Sequence, residues 1–123
     1  MNKRAKGNKY ELKAQRELER EGFLVQRAPP SYRWNKQTDL FRLFDIIAVK
    51  KNTRTRYIQV KANRTPTQKE KESLNGFRHY CYFELPKGIF KFGEVIQIGE
   101  VEWWCYWEKG KRKNKQGWEK IVF

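Results

Sequence analysis

The sequence FDIIAV at residues 44–49, followed by YIQVK at residues 57–61, decides the fold. Both stretches are rich in apolar and β-branched residues, and the polar residues 50–54 between them are typical of a turn. This pattern predicts a β-hairpin with strands over residues 45–49 and 56–61.

One end of this hairpin carries polar side chains. Asp45 begins the first strand close to where Lys61 ends the second. Because side chains alternate along a strand, Ile58 and Val60 are expected to point into a core, while Gln59 and Lys61 share the opposite face. An acid, an amide and a lysine at one end of an apolar hairpin indicate metal-dependent hydrolysis.

Length and charge narrow the possible partners. The chain has 123 residues, enough for one domain, and its net charge is +14 with a pI near 10.0. Such a charge favours a polyanion, with nucleic acid first and anionic membrane as the competing partner. No stretch resembles a signal peptide or a membrane span, so we expect an intracellular location, at the nucleoid or elsewhere in the cytoplasm. Of the two possible partners we therefore expect nucleic acid and no membrane.

The soft metal ligands are few. Cys81, Cys105 and His79 are the only Cys and His residues, too few for a four-ligand zinc site. Both cysteines lie in aromatic stretches, which favours two buried thiols over a disulfide in an intracellular protein. Catalysis is therefore expected to use oxygen ligands.

A helix is predicted from about Asn8 to Glu21, ended by Gly22, because apolar residues recur every four positions. These residues are Tyr10, Ala14 and Leu18. Glu11 projects close to this apolar face. Two explanations stay open for Glu11: it belongs to a site, or it is a partly exposed acid favoured by the dipole at the helix N-terminus.

The next segment is a short strand followed by a loop. Residues 23–27 predict the strand, and the prolines in residues 28–31 end it. The loop over residues 32–42 mixes cations and an aromatic ring in a way suited to phosphate contact and base stacking. These side chains are Arg33, Trp34, Lys36 and Gln37. An ordinary surface loop with Trp34 folded inward is the alternative.

The C-terminal half predicts one helix and then strands. The sequence TPTQ at residues 65–68 has the form of a capping box and predicts a helix to about Leu74, stopping near residues 75–76. Aromatic and β-branched runs then predict strands over residues 79–85, 89–92, 94–98, 101–107 and 118–123.

The densest cation cluster, KGKRKNK at residues 109–115, is expected to be a turn between two of these strands. It is either a solvated basic turn or a contact to the DNA backbone. The strand over residues 101–107 is apolar on both faces, so either a helix covers its second face or a partner subunit does.

Several motifs, taken in order, resemble those of the archaeal-type Holliday junction resolvases in the PD-(D/E)XK nuclease superfamily. They are Gly7, Glu11, the turn at residues 27–31, DIIAV at residues 45–49 and IQVK at residues 58–61. The resemblance covers roughly residues 1–65. It implies an α/β, restriction-endonuclease-like fold with a central mixed β-sheet flanked by helices, and a single nuclease domain over residues 1–123 with a basic N-terminal arm at about residues 1–7.

The resemblance also implies roles for individual residues. Glu11, Asp45 and Gln59 would bind Mg²⁺, for which Mn²⁺ is expected to substitute, and no other small-molecule cofactor is implied. Lys61 takes the position of the family lysine. Ser31, in the turn after the first strand, takes the position of a serine that acts near the scissile phosphate.

The implied substrate is a four-way DNA junction, cut by a homodimer with paired symmetric nicks. The residues expected to contact DNA are cations and one serine around the implied site. They are Lys3, Arg4, Lys6, Lys9, Arg27, Ser31, Arg33, Lys36 and Arg64.

One position departs from the family pattern, since Gln59 stands where these resolvases usually have glutamate. An amide gives a metal only a neutral oxygen, so the site should attract Mg²⁺ less strongly. Three hypotheses therefore stay open: a junction-resolving endonuclease, a nuclease of the same fold that acts on flaps or other branched DNA, and a non-catalytic nucleic-acid-binding protein whose metal site has decayed.

Overall fold

The structure, a computed structural model, describes residues 3–28, 40–41, 43–84 and 95–123. The elements in these ranges are α1 (Lys3–Arg20), β1 (Leu24–Arg27), β2 (Ile46–Val49), β3 (Thr55–Ala62), α2 (Gln68–Arg78), a 3₁₀ turn (His79–Cys81), β4 (Tyr82–Glu84), β5 (Val95–Gln97), β6 (Gly99–Arg112) and β7 (Lys115–Val122).

Five of the strands form one mixed sheet in the order β1-β2-β3-β6-β7. Strands β3 and β6 run parallel, and the other neighbours run antiparallel. Strands β4 and β5 form a separate antiparallel pair. The predicted hairpin is present as β2 and β3, and the predicted first strand as β1. The expected fold class, an α/β domain with a central mixed sheet flanked by helices, is confirmed.

The sheet separates two apolar clusters, because side chains alternate along each strand. On the α1 side the buried residues are Tyr10, Ala14, Leu18, Ile46, Ala48, Ile58, Val60 and Trp104. On the α2 side they are Phe44, Leu74, Cys81, Val101, Trp103, Cys105 and Trp107. Strand β6 contributes to both clusters and is covered on both faces. The idea that residues 101–107 offer a face to a partner subunit is therefore wrong.

Helix α1 begins at Lys3, earlier than the expected start near Asn8. The described part of the predicted basic arm is thus helical, because its lysine, arginine and alanine residues favour helix even without an apolar stripe. The predicted stop is confirmed. Gly22 has a φ of +95°, and Phe23 N–H donates to the Leu18 carbonyl at 3.1 Å, as in a Schellman motif.

Helix α2 begins two residues later than expected. Thr67, not Thr65, is the N-cap, and it exchanges hydrogen bonds with Glu70. The helix also continues through Asn75 and Gly76 to Arg78, because packing of Leu74 and Phe77 in the α2-side cluster outweighs the low helix propensity of glycine.

The C-terminal strands differ in detail from the expected ones. Residues 79–81 form a 3₁₀ turn, and the strand predicted over residues 89–92 lies outside the described residues. The segment 109–115 was expected to be a turn, but most of it is strand. Strand β6 continues to Arg112 and β7 begins at Lys115. Pairing along two long strands satisfies backbone groups that a loop would leave to water.

The remaining whole-chain expectations concern thiols and membranes. Cys81 and Cys105 are free and buried, as predicted, and burial raises the pKa of both thiols. Within the described ranges, no helix is long and apolar enough to cross a bilayer.

Candidate active site at the β2–β3 end of the sheet

Asp45, directly before β2, is fixed by backbone hydrogen bonds. Its N–H donates to the Ile58 carbonyl at 3.0 Å, and its own carbonyl accepts from Ala28 N–H at 2.8 Å. Its side-chain Oδ2 accepts the backbone N–H of Val60 at 2.7 Å. The carboxylate therefore lies against the backbone between Gln59 and Lys61, and Asp45 is at the end of the hairpin where the sequence predicted it.

Gln59 is buried, with 8% of its surface exposed. Its Oε1 is buried and has no hydrogen-bond partner among the described residues. In the parallel pairing of β3 with β6 it lies opposite Trp103, whose Nε1 is also buried without a partner. A buried acceptor without a donor is costly, and native proteins retain such groups mainly where a function requires them.

Lys61 lies two residues after Gln59, on the same face of β3, and its cross-strand partner in β6 is Cys105. It is half-buried, and it forms no ion pair with a described residue. Ile58 and Val60 point to the α1-side cluster, so the expected division of the strand into two faces is confirmed. The Lys61 ammonium is therefore available for a group that approaches the end of the sheet.

Glu11, half-buried on α1, reaches strand β1. Its Oε1 lies 3.9 Å from Nη2 of Arg27. Arg27 pairs with Ile46 in the sheet, one residue after Asp45, and its Nη2 also donates to Asn8 Oδ1. The helix carboxylate is thus joined through Arg27 to the strand end that carries Asp45.

A few buried polar atoms have no hydrogen-bond partner in the part of the chain that the structure describes. Among the described residues they are Arg27 Nε, Gln59 Oε1 and Trp103 Nε1. Two of them belong to predicted site residues, and the third lies beside Gln59 in the sheet. Because Gln59 and Trp103 are neighbours in the sheet, their two unsatisfied groups indicate a site that is completed by something outside the described residues.

Residues missed by the sequence analysis hold the first turns of α1 in place. Glu108 on β6 accepts hydrogen bonds from Asn63 Nδ2, Lys6 Nζ and Tyr10 OH. Its backbone N–H donates to Asn63 Oδ1 at 2.8 Å. Because Glu11 follows Tyr10, this network positions the Glu11 side of the site. The sequence gives little sign of it, apart from an asparagine at a strand end, where its φ is +58°.

The network changes the titration of two of its members. The three donors hold the pKa of the Glu108 carboxyl at about 2, well below its usual range. Burial and the Glu108 carboxylate raise the pKa of the Tyr10 hydroxyl to about 12. Both groups therefore stay in the form that keeps their bond over the whole neutral range.

The residues predicted to contact DNA have varied surroundings. Lys6 pairs with Glu108 at 3.0 Å, and Lys9 is exposed above the Tyr10 ring. Arg64 makes a bidentate ion pair with Glu70, which lowers the pKa of Glu70 to about 2.

Lys3 and Arg4 lie in the first turn of α1. The predicted contacts in the loop, which are Ser31, Arg33 and Lys36, lie outside the described residues.

The donor set suits a hard cation better than a soft one. Among the described residues, no three His, Cys, Asp or Glu side chains gather as a metal site would require. The Asp45 carboxylate lies on the backbone N–H of Val60, the residue after Gln59, and Mg²⁺ accepts both carboxylate and amide oxygens. The Gln59 Oε1 fits such an ion, because coordination would supply the partner that the described residues do not.

Comparison with known proteins supports the fold. No family model matches the chain, and no curated protein matches it significantly. Among solved structures the chain is similar to Hjc, a Holliday junction resolvase from the archaeal hyperthermophile Archaeoglobus fulgidus. The TM-score is 0.51 at 19% identity, over 94% of this chain and 83% of Hjc. The resolvase-like fold expected from the motifs is therefore present across almost the whole chain.

Proposed function

We propose that this protein is a Mg²⁺-dependent endonuclease that resolves four-way DNA junctions. The observation that carries the proposal is the buried Gln59 Oε1, which has no hydrogen-bond partner among the described residues and belongs to the segment whose Val60 N–H holds the Asp45 carboxylate. The Hjc-like fold and the net charge of +14 support DNA as the substrate.

Glu11, Asp45 and Gln59 would hold the metal. When bound, Mg²⁺ lowers the pKa of a water molecule and neutralises charge that develops on the phosphate, and Mn²⁺ is expected to substitute. The Val60 N–H holds the Asp45 carboxylate at this end of the hairpin. Arg27 would orient Glu11, since its guanidinium lies against the Glu11 carboxylate.

Lys61 would act on the phosphate rather than on the metal. Its ammonium, half-buried and not paired with a described acid, would lie beside the divalent cation and the reacting phosphate. It would either stay charged and stabilise the transition state or give up a proton and help to activate the water. Lys61→Arg separates these roles, because arginine keeps the charge but cannot act as a base at neutral pH.

Two active sites would be needed for paired nicks. A four-way junction has two-fold symmetry, so a C2 homodimer would place one site on each of two opposite strands. The exposed cross-strand pair Phe83 and Ile96 on β4 and β5 supports an interface there. Phe83→Lys should then lower the solution mass towards that of a monomer, and Leu24→Lys, at an exposed position on β1, should not.

The experiment that tests the proposal incubates wild type and Asp45→Asn with labelled junction, flap and duplex DNA in Mg²⁺, Mn²⁺ or EDTA. We expect paired nicks in the junction with either metal, little cutting of duplex, and no cutting by Asp45→Asn. If flaps were cut in preference to junctions, the protein would still be a metal-dependent nuclease, but its substrate would be flap DNA. Binding without cutting under every condition would favour a non-catalytic DNA-binding protein. This is the second candidate function, because Gln59 stands where the resolvases usually have glutamate.

A further inference from the structure

Strands β6 and β7 extend beyond the rest of the sheet as a two-stranded ribbon. The pairing of β6 with β3 ends where Tyr106 meets Ala62, but β6 continues to Arg112. Beyond Tyr106, β6 pairs only with β7 among the described residues. Residues 109–116 are all exposed. Six further residues of strand reach up to about 20 Å.

This ribbon leaves the sheet at the end that carries the candidate active site. Strands β3 and β6 are parallel, so the far end of β6 lies on the same side as the end of β3, where Lys61 pairs with Cys105. Asp45 is at this end too, because β2 runs antiparallel to β3. DNA held with a phosphate near Asp45 would therefore extend alongside the ribbon.

The ribbon is the most cationic part of the described chain. Five of the eight residues 109–116 are lysine or arginine, and none is acidic. Lys109, Lys111 and Lys113 form no ion pair with a described residue, whereas Arg112 and Lys115 pair with Glu119. The ribbon also encloses a shallow depression of about 510 Å³, four of whose seven lining residues are cations.

Local contacts give the ribbon a defined shape. Its backbone contains a bulge between Trp107 and Arg112, where Gly110 has a φ of +82°, and it turns at Asn114 with a φ of +59°. The Arg112 guanidinium lies 5.0 Å above the Trp107 ring. A bulge twists a ribbon without breaking it, so the lysines are presented on a preformed element.

We propose that the β6–β7 ribbon, residues 107–117, binds the phosphate backbone of a duplex arm of DNA next to the active site. A two-stranded ribbon matches the width of the major groove, and backbone contacts require accessible cations rather than precise geometry. The proposal takes DNA as the partner and so rests on the proposed function. It adds a contact surface that is separate from the metal site.

The test compares three variants by the affinity for labelled duplex and junction DNA in EDTA over a series of salt concentrations. The first replaces Lys109, Lys111 and Lys113 with glutamine, and the second replaces the same lysines with arginine. The control replaces Arg20, Lys51 and Arg54 with glutamine, which removes the same charge at the opposite end of the sheet. Removing one lysine that touches a phosphate weakens binding and lowers the salt slope by about 1.

We expect the ribbon glutamine variant to bind about tenfold to a hundredfold more weakly than the control, with a salt slope lower by about 2 to 3. The arginine variant should bind like wild type, because phosphate contacts need the charge. Equal binding by the ribbon and control variants would overturn the proposal. Because EDTA prevents metal-dependent cleavage, this result does not depend on whether the protein is a nuclease.

A second measurement uses wild type and does not depend on variant folding. Lysine acetylation read by mass spectrometry should show Lys109, Lys111 and Lys113 protected by duplex DNA, and Lys51 unprotected. Full acetylation of the ribbon in saturating DNA would refute the proposal. Protection by vesicles of phosphatidylserine but not by DNA would also refute it, since the ribbon would then bind a membrane surface.

Discussion

Oδ2 of Asp45 accepts the backbone N–H of Val60 at 2.7 Å, across the β2–β3 hairpin. The bond ties the carboxylate to the segment that carries Gln59 and Lys61. It also gives Asp45 a structural role beside its proposed metal role. The two roles are separable, because a hydrogen-bond acceptor need not be charged to accept an N–H.

Asp45→Asn should keep the fold and lose cleavage, whereas Asp45→Ala should lose both cleavage and stability. An asparagine oxygen still accepts the Val60 N–H, but alanine leaves that donor unpaired at a cost of about 1 to 2 kcal/mol. Urea unfolding with a cleavage assay on junction DNA checks both effects. Cleavage retained by Asp45→Asn would remove Asp45 from the metal site, and equal stability of the two variants would show that the bond contributes little.

Gln59→Leu and Gln59→Glu should change stability in opposite directions in EDTA. Leucine removes an unpaired buried acceptor, so its variant should be as stable as wild type or more stable, but unable to cut DNA. A buried glutamate beside Asp45 should destabilise the protein until Mg²⁺ binds, and then cut at lower Mg²⁺ than wild type does.

Thermal unfolding in EDTA and in millimolar Mg²⁺ measures this difference. The midpoint of Gln59→Glu should rise with Mg²⁺ more than that of wild type, and the midpoint of Gln59→Leu least. If Mg²⁺ shifted all three proteins equally, Gln59 would not be a ligand. Fluorescence of the neighbouring Trp103, with Trp103→Phe as control, offers an independent report of cation binding at this position.

The elements that local pattern determines were predictable from the sequence. The β2–β3 hairpin follows from apolar runs around a polar turn, and the end of α1 follows from Gly22. Asp45, Gln59 and Lys61 could be placed at one end of that hairpin for the same reason, because alternation and strand order are local properties.

Features that depend on distant contacts were not predictable in this way. The early start of α1 goes together with the bonds from Lys6 and Tyr10 to Glu108, which is 98 residues from Tyr10 in the chain. The partner of the Asp45 carboxylate is a backbone N–H, and a backbone group has no signature in a sequence. The length of the β6–β7 ribbon was missed because a cation-rich segment at a strand end has the composition of a loop.

Glu102→Gln should destabilise the protein far more than Glu100→Gln. The Glu102 side chain is 2% exposed, and it accepts two hydrogen bonds from Arg56, at 2.7 and 2.8 Å, as well as the Trp104 indole N–H. Removing the Glu102 charge leaves the half-buried Arg56 with only the more exposed Glu21, at 3.6 Å, and breaking such a buried pair costs about 3 to 5 kcal/mol. The neighbouring pair of Arg54 and Glu100 is more exposed, and its loss should cost less than about 1 kcal/mol.

Urea unfolding of the two variants decides this comparison. Arg54 directly precedes β3 and Arg56 lies in it, and both arginines pair with glutamates of β6, so the comparison sets an exposed pair against a buried one. Arg56→Met combined with Glu102→Leu should recover part of the lost stability, because neither charge of the pair is then left buried alone, whereas the Trp104 indole N–H still loses its acceptor. Equal costs for Glu102→Gln and Glu100→Gln would show that water reaches the Arg56–Glu102 pair.

Acid should remove the stabilisation that Glu108 provides. Hydrogen bonds from Asn63, Lys6 and Tyr10 hold the pKa of Glu108 at about 2 in the folded protein, below the 4.5 expected when unfolded. Since the folded pKa is the lower one, the stabilisation is complete above about pH 5 and is lost as pH falls towards about 2. The difference in unfolding free energy between wild type and Glu108→Gln should therefore be constant near neutrality and shrink over that acid range.

Urea unfolding at several pH values measures this difference, with Glu19→Gln at an exposed position on α1 as control. A difference that stayed unchanged down to about pH 2 would show that the carboxylate does not hold α1 against β6.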